Sequence, residues 1–142
     1  MKDETLLDKA LLNLTVAQSL LSVDTGDDAM LNMVWYHLQQ SAELFLKHFL
    51  ETESTGFPFT HDITLLTDLV IEANTSAKLT DDFKMMTASF TEWEAKTRYV
   101  KNYIASRRMI LKAINILQEM YSENGLKVKK NDYSLKDSNL PF

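Results

Sequence analysis

Residues 31–49 read Leu-Asn-Met-Val-Trp-Tyr-His-Leu-Gln-Gln-Ser-Ala-Glu-Leu-Phe-Leu-Lys-His-Phe, and within them Leu31, Trp35, Leu38, Ala42, Phe45 and Phe49 recur at intervals of 4-3-4-3-4. That rhythm lays apolar side chains along one face of an α-helix and does not fit a strand, whose faces alternate every second residue. Asp27 or Asp28, just ahead of the run, supplies a carboxylate to cap the free N–H groups of a first turn.

The same pattern recurs on both sides of this helix. Residues 5–22 place Leu7, Ala10, Leu14, Ala17 and Leu21 on one helical face, and Val23 to Asp28 end it with Gly26 as a left-handed stop. Downstream, Ser54-Thr55-Gly56-Phe57-Pro58-Phe59 is a loop, and Thr60 reads as the N-cap of a third helix with Ile63, Leu66, Val70 and Ala73 on its apolar face. Thr80, Asp81 and Asp82 open a fourth, lined by Leu79, Phe83, Met86, Phe90 and Trp93. A fifth pattern, Tyr103, Arg107, Ile110, Ile114, Leu117 and Tyr121, runs to the Glu123-Asn124-Gly125 stop, with a joint expected near Arg98–Asn102. Beyond it no helical period persists. The reading is a bundle over residues 1–123 and an irregular basic and polar tail over 124–142.

No segment alternates as a strand, so the fold class expected is all-α, an up-and-down antiparallel bundle of four to five helices. Composition agrees: 142 residues suit one domain, and with 45% apolar residues the chain can bury a core. Three glycines and two prolines leave no Gly-rich phosphate loop, and the lack of cysteine removes disulfides, thiolate zinc sites and a cysteine nucleophile. Met1-Lys2-Asp3-Glu4 is not the start of a signal peptide, and no apolar run approaches the roughly 18 residues of a membrane span, so a soluble cytoplasmic protein is expected.

Charge is unevenly distributed. Residues 1–95 hold 5 Lys against 16 Asp and Glu, a balance of −11, whereas residues 96–142 hold 10 Lys and Arg against 4 acids, a balance of +6. Arg98, Lys101, Arg107, Arg108, Lys112, Lys127, Lys129 and Lys130, interleaved with Tyr99 and Tyr103, are a set that can meet phosphates and stack bases. They can equally be a solvated face neutralised by the acidic first part of the chain.

The second helix carries a further stripe, Tyr36, Gln40, Glu43 and Lys47, with His37 beside it. Glu43 and Lys47 read most simply as an i,i+4 ion pair on a solvated face. Thr60-His61-Asp62 is the other polar cluster: His61 and Asp62 would occupy the first turn of helix three, where the helix dipole favours an acid. An adjacent His-Asp pair also occurs in metal-dependent phosphohydrolases. Here, however, His37 and His48 stand about 16 Å apart along one helix and cannot share a metal. No Glu is followed by a His three residues later, as diiron bundles require, and no Gly-x-Ser-x-Gly elbow exists. No metal site and no cofactor are expected.

The run Trp35 to Lys47, followed by Thr60-His61-Asp62-Ile63 and then by Trp93 to Tyr99 with its Arg98-Tyr99 pair, resembles the HEPN domain family (higher eukaryotes and prokaryotes nucleotide-binding) over about residues 5–121. The resemblance implies a bundle of four or five helices, commonly a homodimer. The family includes ribonuclease toxins, domains paired with nucleotidyltransferases, and nucleotide- or RNA-binding accessory modules. Its ribonucleases use an Arg followed, after four to six residues, by a His. Counted from Arg98 those positions hold Tyr103, Ile104 and Ala105, and the last His in the chain, His61, precedes every Arg.

The function expected is therefore a non-catalytic HEPN-like module. It would bind a nucleotide or single-stranded RNA, or pair as a homodimer with a nucleotidyltransferase protein in a two-component, toxin-antitoxin-like system. In that reading Arg98 and Lys47 meet phosphate, Tyr36 and Tyr99 offer stacking surfaces, and His37, Gln40, His61 and Asp62 hydrogen-bond the ligand or fix a cleft between helices two, three and four. The alternatives are a metal-independent ribonuclease with a rearranged His61/Arg98 site and a ligand-free dimeric adaptor.

Overall fold

The structure is a computed structural model that describes residues 3–23, 28–99 and 106–130. Five α-helices run in the order α1 (Leu6–Ser22), α2 (Asp28–Glu53), α3 (Ile63–Glu72), α4 (Asp81–Tyr99) and α5 (Arg107–Glu123). The chain is an all-helical bundle, as its periodicity predicts, with no strand among the described residues.

The ends of the helices follow from local chemistry. Thr5 caps α1 in a reciprocal capping box: its hydroxyl accepts from the Asp8 N–H while the Asp8 carboxylate accepts from the Thr5 N–H. The Thr80 hydroxyl accepts from the Phe83 N–H, and the Ser106 hydroxyl accepts from the Met109 N–H at the head of α5. At the far end of α5, Gly125 takes φ +77°, and the N–H groups of Gly125 and Leu126 bond back to the carbonyls of Ser122 and Tyr121. This is the left-handed helix stop that the Asn124-Gly125 pair predicts. Asn74, at φ 53°, takes the equivalent place after α3.

The stop expected at Gly26 and the core position expected at Tyr103 lie outside the described residues. The joint expected near Arg98–Asn102 lies mostly outside the described residues, between the end of α4 at Tyr99 and Ser106, the N-cap of α5. Thr60 is not the N-cap of α3. Asp62 is, accepting from the Leu65 N–H at 3.1 Å, while Thr60 accepts from the Asp62 N–H in the turn before it. His61 and Asp62 thus precede the helix rather than forming its first turn.

α2 is the central element, with α1, α3 and α5 all packed against it. It consequently buries more than one stripe: Val34, Leu46 and Leu50 are as inaccessible as Trp35, Leu38, Ala42 and Phe45, while Phe49 is only partly buried. α1 lies antiparallel to it, as Ser41 meets Ala10 and His37 meets Asn13. Trp35 stacks on Phe90 of α4, and Phe45 stacks on Tyr121 of α5, each with ring centroids 4.8 Å apart. On α3, Ile63, Leu66 and Val70 are buried but Ala73 is exposed at the helix end. After the turn at Gly125, Leu126 and Val128 pack on the core and the Lys129 carbonyl accepts from Gln18 at 2.7 Å, so this part of the tail is docked.

One buried polar chain ties three helices together. The Ser41 hydroxyl donates to the Ala10 carbonyl at 2.6 Å, which commits its single proton, so the Tyr121 phenol must donate to Ser41 at 2.7 Å. Burial also pushes the Tyr121 phenol well above its ordinary pKa. Replacing Ser41 with Ala strands the Tyr121 donor and should cost about 2 kcal/mol, whereas the double variant Ser41→Ala/Tyr121→Phe should recover part of the loss. Urea denaturation of the three variants checks this. The unfolded phenol titrates near ~10 and the native one higher, so this contribution is fully present below ~10 and is lost as pH rises above it.

Candidate functional site

The side of α2 that faces the α2–α3 connection holds a carboxylate removed from water. Glu43 is 3% exposed and Lys47, one turn later, is 8% exposed, so the expectation of a solvated ion pair is corrected. The pair itself forms, with Lys47 Nζ 3.0 Å from Glu43 Oε2. The other carboxylate oxygen, Oε1, lies 3.0 Å from His61 Nδ1. A carboxylate only accepts, so Nδ1 carries the proton and Nε2 is left as the imidazole's second functional atom. The His61 side chain is 52% exposed, in contrast to the buried Glu43 and Lys47.

Two aromatic rings of the same connection complete the surroundings. Phe57 lies under the Lys47 ammonium, 5.1 Å from Nζ to ring centroid, and so supplies a cation–π contact where water is displaced. Phe59 is 100% exposed, its ring 6.2 Å from that of His61. Gly56, at φ +117°, makes the turn that brings both rings round. Asp62, beside His61, is committed to structure: its Oδ1 accepts from the Leu65 N–H and from the Thr91 hydroxyl of α4, fixing the start of α3 against α4.

The residues expected to act together divide between two places. Lys47, His61 and Asp62 gather at the α2–α3 connection. His37 turns the other way: its Nδ1 is 2.8 Å from Asn13 Oδ1 on α1, and burial lowers its pKa. His37 therefore does not share a cleft between α2, α3 and α4 with His61. Tyr36 is largely exposed, with its ring edge-on to His37 at 5.3 Å, and Gln40 is half-buried on the same stripe one turn before Glu43. The backbones of Arg98 and Tyr99 lie in the last turn of α4, and their side chains lie outside the described residues.

Three contributors escape a reading of sequence motifs: Glu43 as the hub, Phe57 as the cover of Lys47, and Phe59 as an exposed ring. A signal existed for the first. Ala42, Leu44, Phe45, Leu46, Phe49 and Leu50 surround Glu43 and Lys47 with apolar positions on every side of the helix, a pattern that leaves no solvated face. The basic residues of the fifth helix and tail are in part solvated: Arg108 and Lys112 are exposed, and Lys130 pairs with Glu119 at 3.3 Å.

Among the described residues no group of three His, Asp or Glu side chains converges to hold a metal, and no helix is long and apolar enough to cross a membrane. The family model described as HEPN domain matches residues 4–127. Comparison with curated proteins and with solved structures gives no match.

Truncating Glu43 to Ala should destabilise the fold by about 3–5 kcal/mol, because it leaves the Lys47 ammonium buried without its counter-charge. Lys47→Met should cost less, since His61 still partners the carboxylate. Equilibrium urea unfolding of both variants measures the order. In a proton NMR titration of the native protein, burial should place the midpoint of His37 below the ordinary histidine value of about 6.5.

Proposed function

We propose, on the premise that the chain belongs to the HEPN domain family, as the match over residues 4–127 shows, that it is a non-catalytic module binding a nucleotide or single-stranded RNA at the α2–α3 connection. Membership ties the chain to nucleotide- or RNA-related function in general, and the particular reading is argued from the site. The observation that carries it is the pairing of His61 with Phe59. A fully exposed aromatic ring stands beside a half-exposed imidazole whose Nδ1 is anchored by Glu43. Exposed rings are stacking platforms for bases irrespective of sequence, and the outer imidazole nitrogen is suited to a phosphate or base-edge hydrogen bond. Gln40 and Tyr36 continue the surface along α2.

In this reading Lys47 acts differently from the role first assigned to it. Its ammonium is already occupied by Glu43 and Phe57, so it holds the site's shape rather than meeting phosphate. The module works in the cytoplasm as a homodimer. Its partner is a nucleotidyltransferase protein in a two-component system of the toxin-antitoxin type.

One observation favours a second reading, metal-independent RNA cleavage. A carboxylate bonded to Nδ1 of an imidazole whose Nε2 remains available is an arrangement used for general acid–base catalysis. Against it stands the absence of the family's Arg-then-His motif.

Titration of the purified chain with labelled single-stranded RNA in EDTA, at two salt concentrations, with the same samples run on a denaturing gel, separates the readings. Salt-sensitive binding with intact RNA is expected, and Phe59→Ala should weaken it by roughly tenfold, in line with about 1–3 kcal/mol per stacked base. Cleavage that disappears in His61→Ala would establish the enzyme instead. Absence of both binding and cleavage would leave the protein partner as the function.

A further inference from the structure

A groove of about 620 Å³ runs between the α2–α3 connection and α3, with Phe57 and Pro58 on one side and Leu69, Glu72 and Ala73 on the other. Its walls are fixed in advance. α3 is tied to α2 at both of its ends, by His61 on Glu43 before the helix and by the Ser76 N–H and hydroxyl, which donate to Glu53, after it. The connection is held as well: the Ser54 hydroxyl donates to the Leu50 carbonyl at 2.6 Å, and Phe57 lies against Lys47. A groove whose shape is set before binding costs a ligand little in ordering.

The lining is apolar and within reach of solvent. Phe57 is 37% exposed and Leu65 41%, and Pro58 and Ala73 are exposed too. Leu65, Leu69 and Ala73 follow one another at intervals of four, an apolar strip about 12 Å long that matches about four residues of an extended chain. The rim is acidic. Asp68 and Glu72 stand four residues apart beside the strip, and Glu51 lies one turn before Ser54. All three are exposed, and among the described residues none of them is in an ion pair. No cation offsets them locally, because residues 48–77 include Glu51, Glu53, Asp62, Asp68 and Glu72 but no Lys or Arg. Such a rim repels phosphate and attracts cations, so the nucleotide or RNA reading does not extend into the groove.

We propose that this groove docks an extended segment of a partner protein, in which two apolar side chains lie against Phe57 and the Leu65–Leu69 strip while flanking Lys or Arg residues meet Glu51, Asp68 and Glu72. The apolar contacts supply affinity, and the charges select the segment and its direction. The proposal does not rest on the reading of His61 and Phe59 as a nucleotide or RNA site.

The test is selection of a displayed library of random dodecapeptides on the full chain, followed by fluorescence anisotropy titration of the enriched peptides. These should share two apolar residues flanked by Lys or Arg. Changing the apolar pair to Ala should weaken binding roughly tenfold or more, and added salt should weaken it further. Ala73→Trp, at an exposed position lining the groove, should abolish binding. Asp68→Lys combined with Glu72→Lys, both exposed, should reduce it by roughly tenfold or more and decides the matter if the first variant fails to fold. Backbone amide signals of Ser54 to Phe57 and of Leu69 to Ala73 should move on titration. The proposal is overturned if no peptide is enriched, if the enriched peptides carry no excess of Lys or Arg, or if binding survives these variants. Binding that is retained in Ala73→Trp but lost in His61→Ala would place the peptide on the His61 surface and overturns it too. A failed RNA titration leaves the peptide result unaffected, so the two readings fail separately.

Discussion

The carboxylate of Glu43 sets the geometry of the α2–α3 side of the molecule. Placed on the central helix and almost free of water, it must find donors for both oxygens, since an unmet buried charge is far costlier than an exposed one. One donor, Lys47, comes from its own helix a turn later, and the other, His61, comes from the connection to α3. The loop is thereby pinned onto α2 at one atom. Phe57 then covers the lysine, and Phe59 and the outer edge of His61 are left facing solvent. The net energy of such a buried pair is small, because desolvation offsets most of the attraction. Its main effect is to specify where the connection lies.

The helices were legible because each one is amphipathic and its ends carry recognisable chemistry. Gly125 with its neighbours and Thr80 ahead of Asp81 fall where their residue types place them. The misplacement at α3 has a local cause. Thr60 and Asp62 are both capping residues two positions apart, and the choice falls to Asp62 because Ile63 is the first side chain drawn into the core. Thr60 is then used to shape the preceding turn. Between Glu94 and Asn102 no residue clearly breaks the helical pattern, whereas Ser106, a good cap, marks the start of α5.

The site was legible only in part, and the failures share a reason. A single apolar stripe on α2 suggested that its remaining faces meet water, but three helices pack around it, so Glu43 and Lys47 are enclosed. His37 and His61 look like natural companions in sequence, yet a residue on one side of a helix cannot reach a loop on the other. The partner of His37 proved to be Asn13, a contact between residues 24 apart that no local pattern announces. The Thr-His-Asp turn does lie at the Glu43 cluster. Within it the three residues divide their tasks: Thr60 shapes the turn, Asp62 caps the helix, and His61 faces outward.

The charge asymmetry acquires a spatial meaning in the folded chain. The acidic first part contributes the buried hub and the Asp62 cap of α3, whereas Arg108 and Lys112 stay exposed on α5, and the docked segment through Lys130 returns across α1 and α5. The most direct test of the central claim is a map of backbone amide chemical-shift changes on titration with single-stranded RNA. The prediction is a footprint centred on Phe57 to Asp62 with Lys47 beside it. A footprint confined to α5 and residues 126–130, with the α2–α3 connection unmoved, would contradict it.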